Sequence, residues 1–278
     1  MSSIHTNTSA MAALTTLRNI NNSLAGTQNR ISSGLKIESG KDNAAYFAIS
    51  ETMTGDSRIY KAIDESLTLT QNSISAARLG AETVVDLAND FVERVAFAQG
   101  GTAETRSDVQ KELQELVARI ATTISQATFN GSDLVNSGAT VTVVTGISRT
   151  SGGSISTTSV TFQQQDLGAI HSALAAIDLT AASTTALMET LLQDAESALG
   201  AAIASATAFG IAEKSVEMQK EFLGELTDRI DAGIGSMIDA NMEEEAATLQ
   251  ARQVQQQLAT QALAIANQSP QNILTLFR

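Results

Sequence analysis

The side chains that most often carry out catalysis or hold metals are few and scattered in this 278-residue sequence. Its two histidines, His5 and His171, lie far apart, and neither has a second candidate ligand at the spacing of a metal site or a catalytic triad. The chain has no cysteine, which excludes disulfides, thiolate nucleophiles and cysteine metal sites. We therefore predict that both histidines are solvated or structural, and that there are no catalytic residues and no metal site.

Glycine and acidic clusters give no stronger indication of chemistry. Neither G-x-G-x-x-G nor P-loop spacing occurs, and Gly100-Gly101 lacks the strand–turn–helix context of a phosphate-binding loop. The run Glu243-Glu244-Glu245 could attract a cation, but such runs are more typical of a solvated helix face or of a helix start. The sequence therefore predicts no cofactor and a protein that is not an enzyme.

Charge is concentrated in the middle of the chain. The sequence has 17 Lys and Arg against 30 Asp and Glu, and residues 41–249 hold 12 of the basic and 29 of the acidic residues. An acidic chain lacks the basic surface that nucleic acid requires. No apolar run approaches the ~18 residues of a membrane span, and the first residues do not resemble a secretory signal peptide. Composition predicts a soluble protein that binds neither nucleic acid nor membrane.

The hydrophobic pattern predicts a mainly α fold, a long helical coiled-coil bundle with a small β-hairpin. With one proline and 4% aromatic residues, long helices packed through small aliphatic side chains are expected. Apolar residues recur at steps of three and four over residues 53–98, 109–124 and 188–230, and Ser107 is the expected N-cap of the second helix. Residues 139–165 read as a hairpin, and residues 166–185 as a short helix or loop.

Both ends of the chain carry thinner coiled-coil seams. Their charge-poor composition alone is equally compatible with disordered tails. The repeats favour helices that become ordered on meeting a partner, because the seams are interrupted by amides, which weaken a coiled coil but fix its register. The large apolar residues of these seams are Leu14, Leu17, Leu24, Ile31, Leu35, Val254, Leu258 and Ile265.

Several motifs, in sequence order, resemble those of bacterial flagellins. The opening Ile-His-Thr-Asn at residues 4–7 is similar to their Ile-Asn-Thr-Asn, and Arg-Ile-Ser-Ser-Gly-Leu-Lys-Ile at residues 30–37 to their Arg-Leu-Ser-Ser-Gly-x-Arg-Ile. Residues 41–49 resemble the segment that follows that turn, with Tyr-Phe in place of the usual Gly-Leu. Phe-Asn-Gly-Ser-Asp-Leu at residues 129–134 and residues 264–278 also match. The resemblance covers both ends and most of the helical body.

The resemblance implies a minimal two-domain flagellin. Residues 1–43 and 236–278 would form the discontinuous coiled coil of the filament core, and residues 44–235 a helical rod domain that carries the hairpin. Arg30, Ser32, Ser33 and Gly34 would form the turn between the two domains. Ser151, Ser154, Ser156 and Thr157, at the expected hairpin tip, are candidates for O-glycosylation.

The function that the resemblance implies is that of a structural subunit, which polymerises with itself into the flagellar filament used for motility. Expected partners are an export chaperone, the export apparatus, the filament cap and hook-associated proteins, and the expected location is extracellular. A hook–filament junction protein with flagellin-like termini is the main alternative. A helical adaptor rod, which would form a stable dimer and no filament, is the alternative of a different class.

Overall fold

The computed structural model describes residues 6–150, 154–181 and 184–276, with the side chains of the last helix described as far as Gln268. Within these residues there are six helices and one two-stranded sheet. The elements in chain order are α1 Thr8–Ser33, α2 Ala44–Ala98, α3 Ala103–Gln126, β1 Thr140–Arg149, β2 Ile155–Gln163, α4 Leu167–Ala175, α5 Thr185–Ile238 and α6 Met242–Leu276. The predicted mainly α fold with a small hairpin is confirmed.

The long helices α2 and α5 supply most of the hydrophobic core, as their seven-residue repeats predict. Each of them is more than 50 residues long, because no proline or paired glycine interrupts either sequence. Alternating steps of three and four keep one side of each helix facing its neighbours. The largest fully buried side chains include Leu67, Ile74, Val84 and Phe91 of α2, Leu113 and Ile120 of α3, and Met188, Phe209 and Leu223 of α5.

Helix α3 begins earlier than the sequence predicted. Its N-cap is Thr102, whose hydroxyl accepts a hydrogen bond from the backbone N–H of Thr105 at 3.4 Å. Ser107, the expected cap, lies inside the first turns of the helix, so that prediction was wrong. Thr and Ser are both good N-caps. Helix α2 ends at Ala98 and Gly100-Gly101 follows, so Thr102 is the first capping residue after the turn.

The predicted hairpin forms, with β1 antiparallel to β2. Thr140 pairs with Gln163 at one end and Arg149 with Ile155 at the other, and the register shifts at Val144/Gly146. The hydroxyl of Tyr60 on α2 donates to the carbonyl of Ile147 at 3.1 Å. Gln219 on α5 donates in the same way, to the carbonyl of Thr145 at 3.1 Å. These two bonds fix β1 against the helices, and β2 is the outer strand with almost every residue exposed.

Contacts divide the chain into two compact units. Residues 1–57 and 228–278 form unit 1, and residues 58–227 form unit 2. The main hydrophobic core, from Ile63 to Leu223, lies entirely in unit 2. The domain boundaries expected from the sequence, after residues 43 and 235, differ from these contact boundaries and stay a prediction about the assembled protein.

Helix α5 contains an 18-residue stretch with a mean hydropathy of 1.3, which by length and composition alone could cross a membrane. No uninterrupted apolar run of that length exists, because small polar residues and glycines are distributed among the alanines. Of this stretch, 33% is buried inside the chain. Core helices of soluble proteins meet the same criterion, and α5 supplies residues to the core of unit 2.

Candidate functional site

The two terminal helices lie side by side and antiparallel within unit 1. Near the start of α1, the side-chain amide of Asn7 donates to the carbonyl of Ala266 at 2.7 Å. Further along, Gln256 Nε2 donates to Asn21 Oδ1 at 2.8 Å. The partner's number falls as the number on α1 rises, which defines an antiparallel pair joined across more than 200 residues of sequence.

The face of α6 that meets α1 is polar or small at most positions. The residues of α6 that are partly buried recur at alternating steps of four and three, the spacing of a coiled-coil seam. They are Glu245, Leu249, Arg252, Gln256, Ala259, Leu263 and Ala266, and Thr248 beside Leu249 is also partly buried. The partly buried residues of α1 are Ala10, Ala13, Leu17, Ile20, Ser23, Leu24, Gly26, Arg30 and Ile31, and Thr27 is fully buried. No apolar side chain is fully buried among the described residues of these two helices.

The apolar residues that the sequence assigned to the terminal seams separate into two sets. Leu17, Leu24, Ile31 and Leu35 are partly buried, and Leu14 is 38% exposed. On α6, the exposed fractions are 54% for Val254, 59% for Leu258 and 70% for Ile265. These three residues lie on a stripe offset by two residues from the seam that contacts α1. The described chain thus leaves the more apolar stripe of α6 open to a partner, and the role of this stripe in assembly stays a prediction.

Four polar atoms at this helix pair are buried without a hydrogen-bond partner in the described residues: Thr27 Oγ1, Arg30 Nε, Glu245 Oε2 and Arg252 Nε. Of these, Arg30 Nε lies 2.8 Å from Glu245 Oε1 in an ion pair. A buried polar group left unpaired costs about 1–3 kcal/mol. The interior of the pair therefore contributes little stability, since it combines these atoms with amides and alanines. Two helices packed in this way are marginal by themselves.

The turn after α1 is built around Gly34, within unit 1. Its predicted role as the turn between two domains stays a prediction. Gly34 has φ of 75°, in the left-handed region, and its N–H donates to the carbonyl of Arg30 at 2.9 Å. Its own carbonyl accepts from the N–H of Ala240 at 2.9 Å, and the N–H of Lys36 donates to the carbonyl of Ile238 at 2.6 Å. The end of α1 is thereby fixed to the turn between α5 and α6.

The two serines of the motif differ in their contacts. Ser33 Oγ donates to the carbonyl of Asn29 at 2.9 Å and accepts from the N–H of Leu35 at 3.3 Å, so it stabilises the last turn of α1. Ser32 is exposed at the same end of the helix. The structure thus brings Arg30, Ser33 and Gly34 together in one turn.

The partner of Arg30 is not evident from the sequence. Arg30 Nε lies 2.8 Å from Glu245 Oε1, so the ion pair joins the last turn of α1 to the first turn of α6. Glu245 belongs to the acidic run that the sequence placed near a helix start, and α6 does begin at Met242 with Glu243, Glu244 and Glu245 in its first turn. Nothing in the local sequence distinguishes Glu245 from the other two, because its partner lies far away along the chain.

We expect reversal of this ion pair to show that it is a specific contact. Arg30→Glu should accelerate amide hydrogen exchange in the adjacent ends of α1 and α6 roughly fivefold, which corresponds to about 1 kcal/mol for a partly exposed pair. The double variant Arg30→Glu with Glu245→Arg should restore the original rates. A double variant that exchanges as fast as the single one would contradict the pairing.

Asp42 is a second residue that the sequence analysis did not single out. Its Oδ2 accepts from the N–H of Ser39 at 3.1 Å, from the hydroxyl of Ser39 at 3.1 Å and from the N–H of Glu38 at 3.2 Å. These bonds, led by the backbone of Ser39, lower the pKa of Asp42 below its ordinary value. Next to it, Asn43 caps α2 through its side-chain oxygen, which accepts from the N–H of Ala45 at 3.1 Å. The segment after α1 is therefore held by local polar contacts.

The remaining predicted site residues belong to unit 2 or lie outside the described residues. His171 is half-buried on α4, whereas His5 and Ser151 lie outside the described residues. Ser154, Ser156 and Thr157 are exposed at the start of β2, and their modification stays a prediction. Within the described part of the chain, no group of three or more His, Asp or Glu side chains is arranged to hold a metal ion.

Comparison with known proteins gives matches at both ends of the chain. Residues 4–140 match the family described as "Bacterial flagellin N-terminal helical region", and residues 192–277 match "Bacterial flagellin C-terminal helical region". A flagellin of Brucella melitensis is 36% identical over 281 residues, with all of both chains covered. Flagellin C of Rhizobium meliloti is 30% identical over 322 residues, again with full coverage of both.

Among solved structures, a putative flagellar hook-associated protein from Vibrio parahaemolyticus is similar, with a TM-score of 0.51 and 14% sequence identity. The similarity covers 72% of this chain and 99% of that one. At such low identity the likeness concerns the fold alone.

Proposed function

This chain belongs to the bacterial flagellin family and is a structural subunit of the flagellar filament, and from that premise we propose that the pair of helices α1 and α6 joins the copies to one another. The hook–filament junction protein is not favoured, because curated flagellins match the chain over its full length. The proposal concerns which surface of this chain carries polymerisation.

The exposed apolar stripe of α6, formed by Val254, Leu258 and Ile265, is the observation that carries this proposal. A two-helix unit that mattered only within one chain would bury such residues and expose its arginine and glutamines. Here Arg252 and Gln256 face α1, while the stripe stays open. Covering a large apolar side chain contributes about 1.5–3 kcal/mol, so contacts between copies would supply the stability that the single pair lacks.

The distribution of charge also supports a role for the terminal helices in contacts between copies. Residues 250–278 contain Arg252 and Arg278 and no acidic residue. Helices packed closely around a filament axis repeat each charge in every copy, and unpaired like charges in a low-dielectric layer are strongly unfavourable. The charge-poor segment 250–278 suits this position, and the acidic body suits a solvent-facing one. The corresponding domain division is residues 1–43 with 236–278 as the core layer and residues 44–235 as the outer layer.

Negative-stain microscopy of the purified protein tests the proposal most directly. A filament subunit gives long fibres of uniform diameter, a junction protein gives at most short rings or stubs, and an adaptor rod gives dimers. The expected result is long fibres. Fibres that persist when Leu258 is replaced by Asp would contradict the assignment of the α6 stripe.

The family resemblance also leads us to propose export and its partners. The partners would be an export chaperone, the flagellar export apparatus, the filament cap and the hook-associated proteins, and the filament would be extracellular. The absence of cysteine supports this, because a chain that passes unfolded through a narrow channel cannot cross-link on the way. Accumulation of the protein in the medium of flagellated cells, and its retention in cells lacking the export apparatus, would be the expected result.

Salt should accelerate polymerisation. Residues 41–249 contain 29 acidic and 12 basic residues, so neighbouring copies repel one another. Screening shortens the reach of that repulsion to ~10 Å at 0.1 M salt. Sulfate also favours apolar burial, so it should raise the polymerisation rate more than chloride does at equal ionic strength. Turbidity or light scattering measures the rate, and a rate that falls steadily with sulfate would contradict the account.

A further inference from the structure

The outward side of α5 in unit 2 carries large apolar side chains that the chain itself does not cover. The exposed fractions are 47% for Ile203, 67% for Ile211, 55% for Met218 and 58% for Phe222. All four lie on the side of the helix opposite the fully buried Phe209, and we call them the outer α5 face. Isolated exposed apolar residues are ordinary, but four along one side of one helix form a stripe.

The part of this face that includes Ile203 and Ile211 is electrically neutral. Exposed Lys214, Glu217 and Glu221 flank the other part, and Lys214 pairs with Glu217 at 2.8 Å. Residues 197–212 contain no charged side chain, although unit 2 holds 20 acidic and 10 basic residues, a net charge of -10. The polar group of Thr207 on the same side is already satisfied, since its hydroxyl donates to the carbonyl of Ile203 at 2.8 Å. Covering this region with another surface would therefore remove neither an ion nor an unpaired hydroxyl from water.

A second neutral surface lies on different elements of the same unit. A groove of about 470 Å³ runs between α2 and β1, next to a turn in which the backbones of Phe129 and Ser132 pair. Its apolar lining includes Leu69, Val141, Val144 and Phe162, and no charged residue borders it among the described residues. Leu69 and Val144 are exposed, so the groove is open to a partner.

We propose that the outer α5 face of one subunit packs into the α2–β1 groove of the next subunit. A helical filament repeats contacts between two different patches, because a patch that meets its own copy closes the assembly as a dimer. These two patches suit each other, since the groove and the part of the α5 face around Ile203 and Ile211 are apolar and uncharged. Unit 2 as a whole is acidic and repels its copies. The inference rests on the chain being a filament subunit and adds a contact outside the terminal helices.

A matched pair of charge substitutions tests the face. Ile211→Asp and Ile211→Lys should both slow filament growth at least tenfold, because either charge would have to be buried at the contact. Gln114→Asp on α3, exposed and uninvolved, should grow like the parent protein. Since Ile211 is largely exposed, all three variants should keep the parent helicity. If only Ile211→Asp slows growth, the effect is general repulsion between acidic subunits, and the proposal is overturned. Normal growth of both variants would also overturn it.

Cysteine cross-linking tests whether the outer α5 face of one subunit occupies the α2–β1 groove of another. The parent chain has no cysteine, so only the introduced residues can form a disulfide. Ile211→Cys and Leu69→Cys proteins are mixed, assembled into filaments and mildly oxidised. The expected product is a disulfide-linked dimer from the mixture and none from Ile211→Cys alone or from Ile211→Cys mixed with Gln114→Cys. A dimer from Ile211→Cys alone means that α5 meets α5, which overturns the proposal.

These outcomes separate the inference from the proposed role of the terminal helices. Parent filaments that form normally while the mixture gives no dimer would overturn the α5–groove contact alone. Normal cross-linking in filaments that also tolerate Leu258→Asp would instead overturn the role proposed for α6.

Discussion

Removal of residues 251–278 is expected to abolish filament formation while leaving most of the chain helical. The deletion takes away Val254, Leu258 and Ile265, which are exposed in the single chain. At ~1.5–3 kcal/mol for each large apolar side chain that becomes buried, the loss is several kcal/mol per subunit in contacts between copies. The core from Ile63 to Leu223 lies entirely outside the deleted segment. Circular dichroism should therefore show a folded, helical protein, and electron microscopy should show no filaments.

Two results would contradict this expectation in different ways. A truncated protein that loses the helicity of unit 2 would mean that the terminal helices and the core fold as one cooperative domain. Filaments of normal length would mean that α6 is not the assembly element. In the intact protein, we also expect helical signal to rise on polymerisation, because the α1–α6 pair is marginal in a single chain.

Replacement of Gly34 by valine is expected to leave unit 2 folded and to give short, misformed or absent filaments. An added Cβ at Gly34 meets no atom within 4 Å, so steric crowding is not the reason. The reason is its φ of 75°, which disfavours an L side chain by about 1–2 kcal/mol and a β-branched one most of all. Relief of that strain would open the hydrogen bonds that join Gly34 to Arg30 and Ala240. Filament length by microscopy and helicity by circular dichroism measure the two effects.

Gly26 provides the matched control for this variant. It lies within α1, an added Cβ there also meets no atom within 4 Å, and its φ lies outside the positive region. Gly26→Val adds the same side chain without left-handed strain and should polymerise far better than Gly34→Val. Gly34→Asn should be intermediate, since asparagine tolerates the left-handed region better than valine. Equal behaviour of the two valine variants would contradict a role for backbone conformation at Gly34.

The sequence by itself determined the elements that depend on local pattern. The repeats of α2 and α5 predicted which residues form the core, because a seven-residue repeat keeps the same side of each helix against its neighbours along its length. The alternating Val and Thr residues around a glycine pair predicted the hairpin for a similar reason. The positive φ at Gly34 could also be expected, since the Arg-Ile-Ser-Ser-Gly motif places a glycine where the chain turns. The N-cap of α3 was misplaced from Thr102 to Ser107 because both residues satisfy the same local rule.

Only the tertiary structure decided which side of α6 faces α1. Two stripes on α6 have the same seven-residue spacing, one with Val254 and Leu258 and the other with Arg252 and Gln256, so periodicity cannot choose between them. The choice depends on contacts between residues more than 200 positions apart, such as Arg30 with Glu245. Hydrophobicity alone favours burying the more apolar stripe within the chain. The fold leaves that stripe exposed, and we propose that other copies supply the surface that buries it in a polymer.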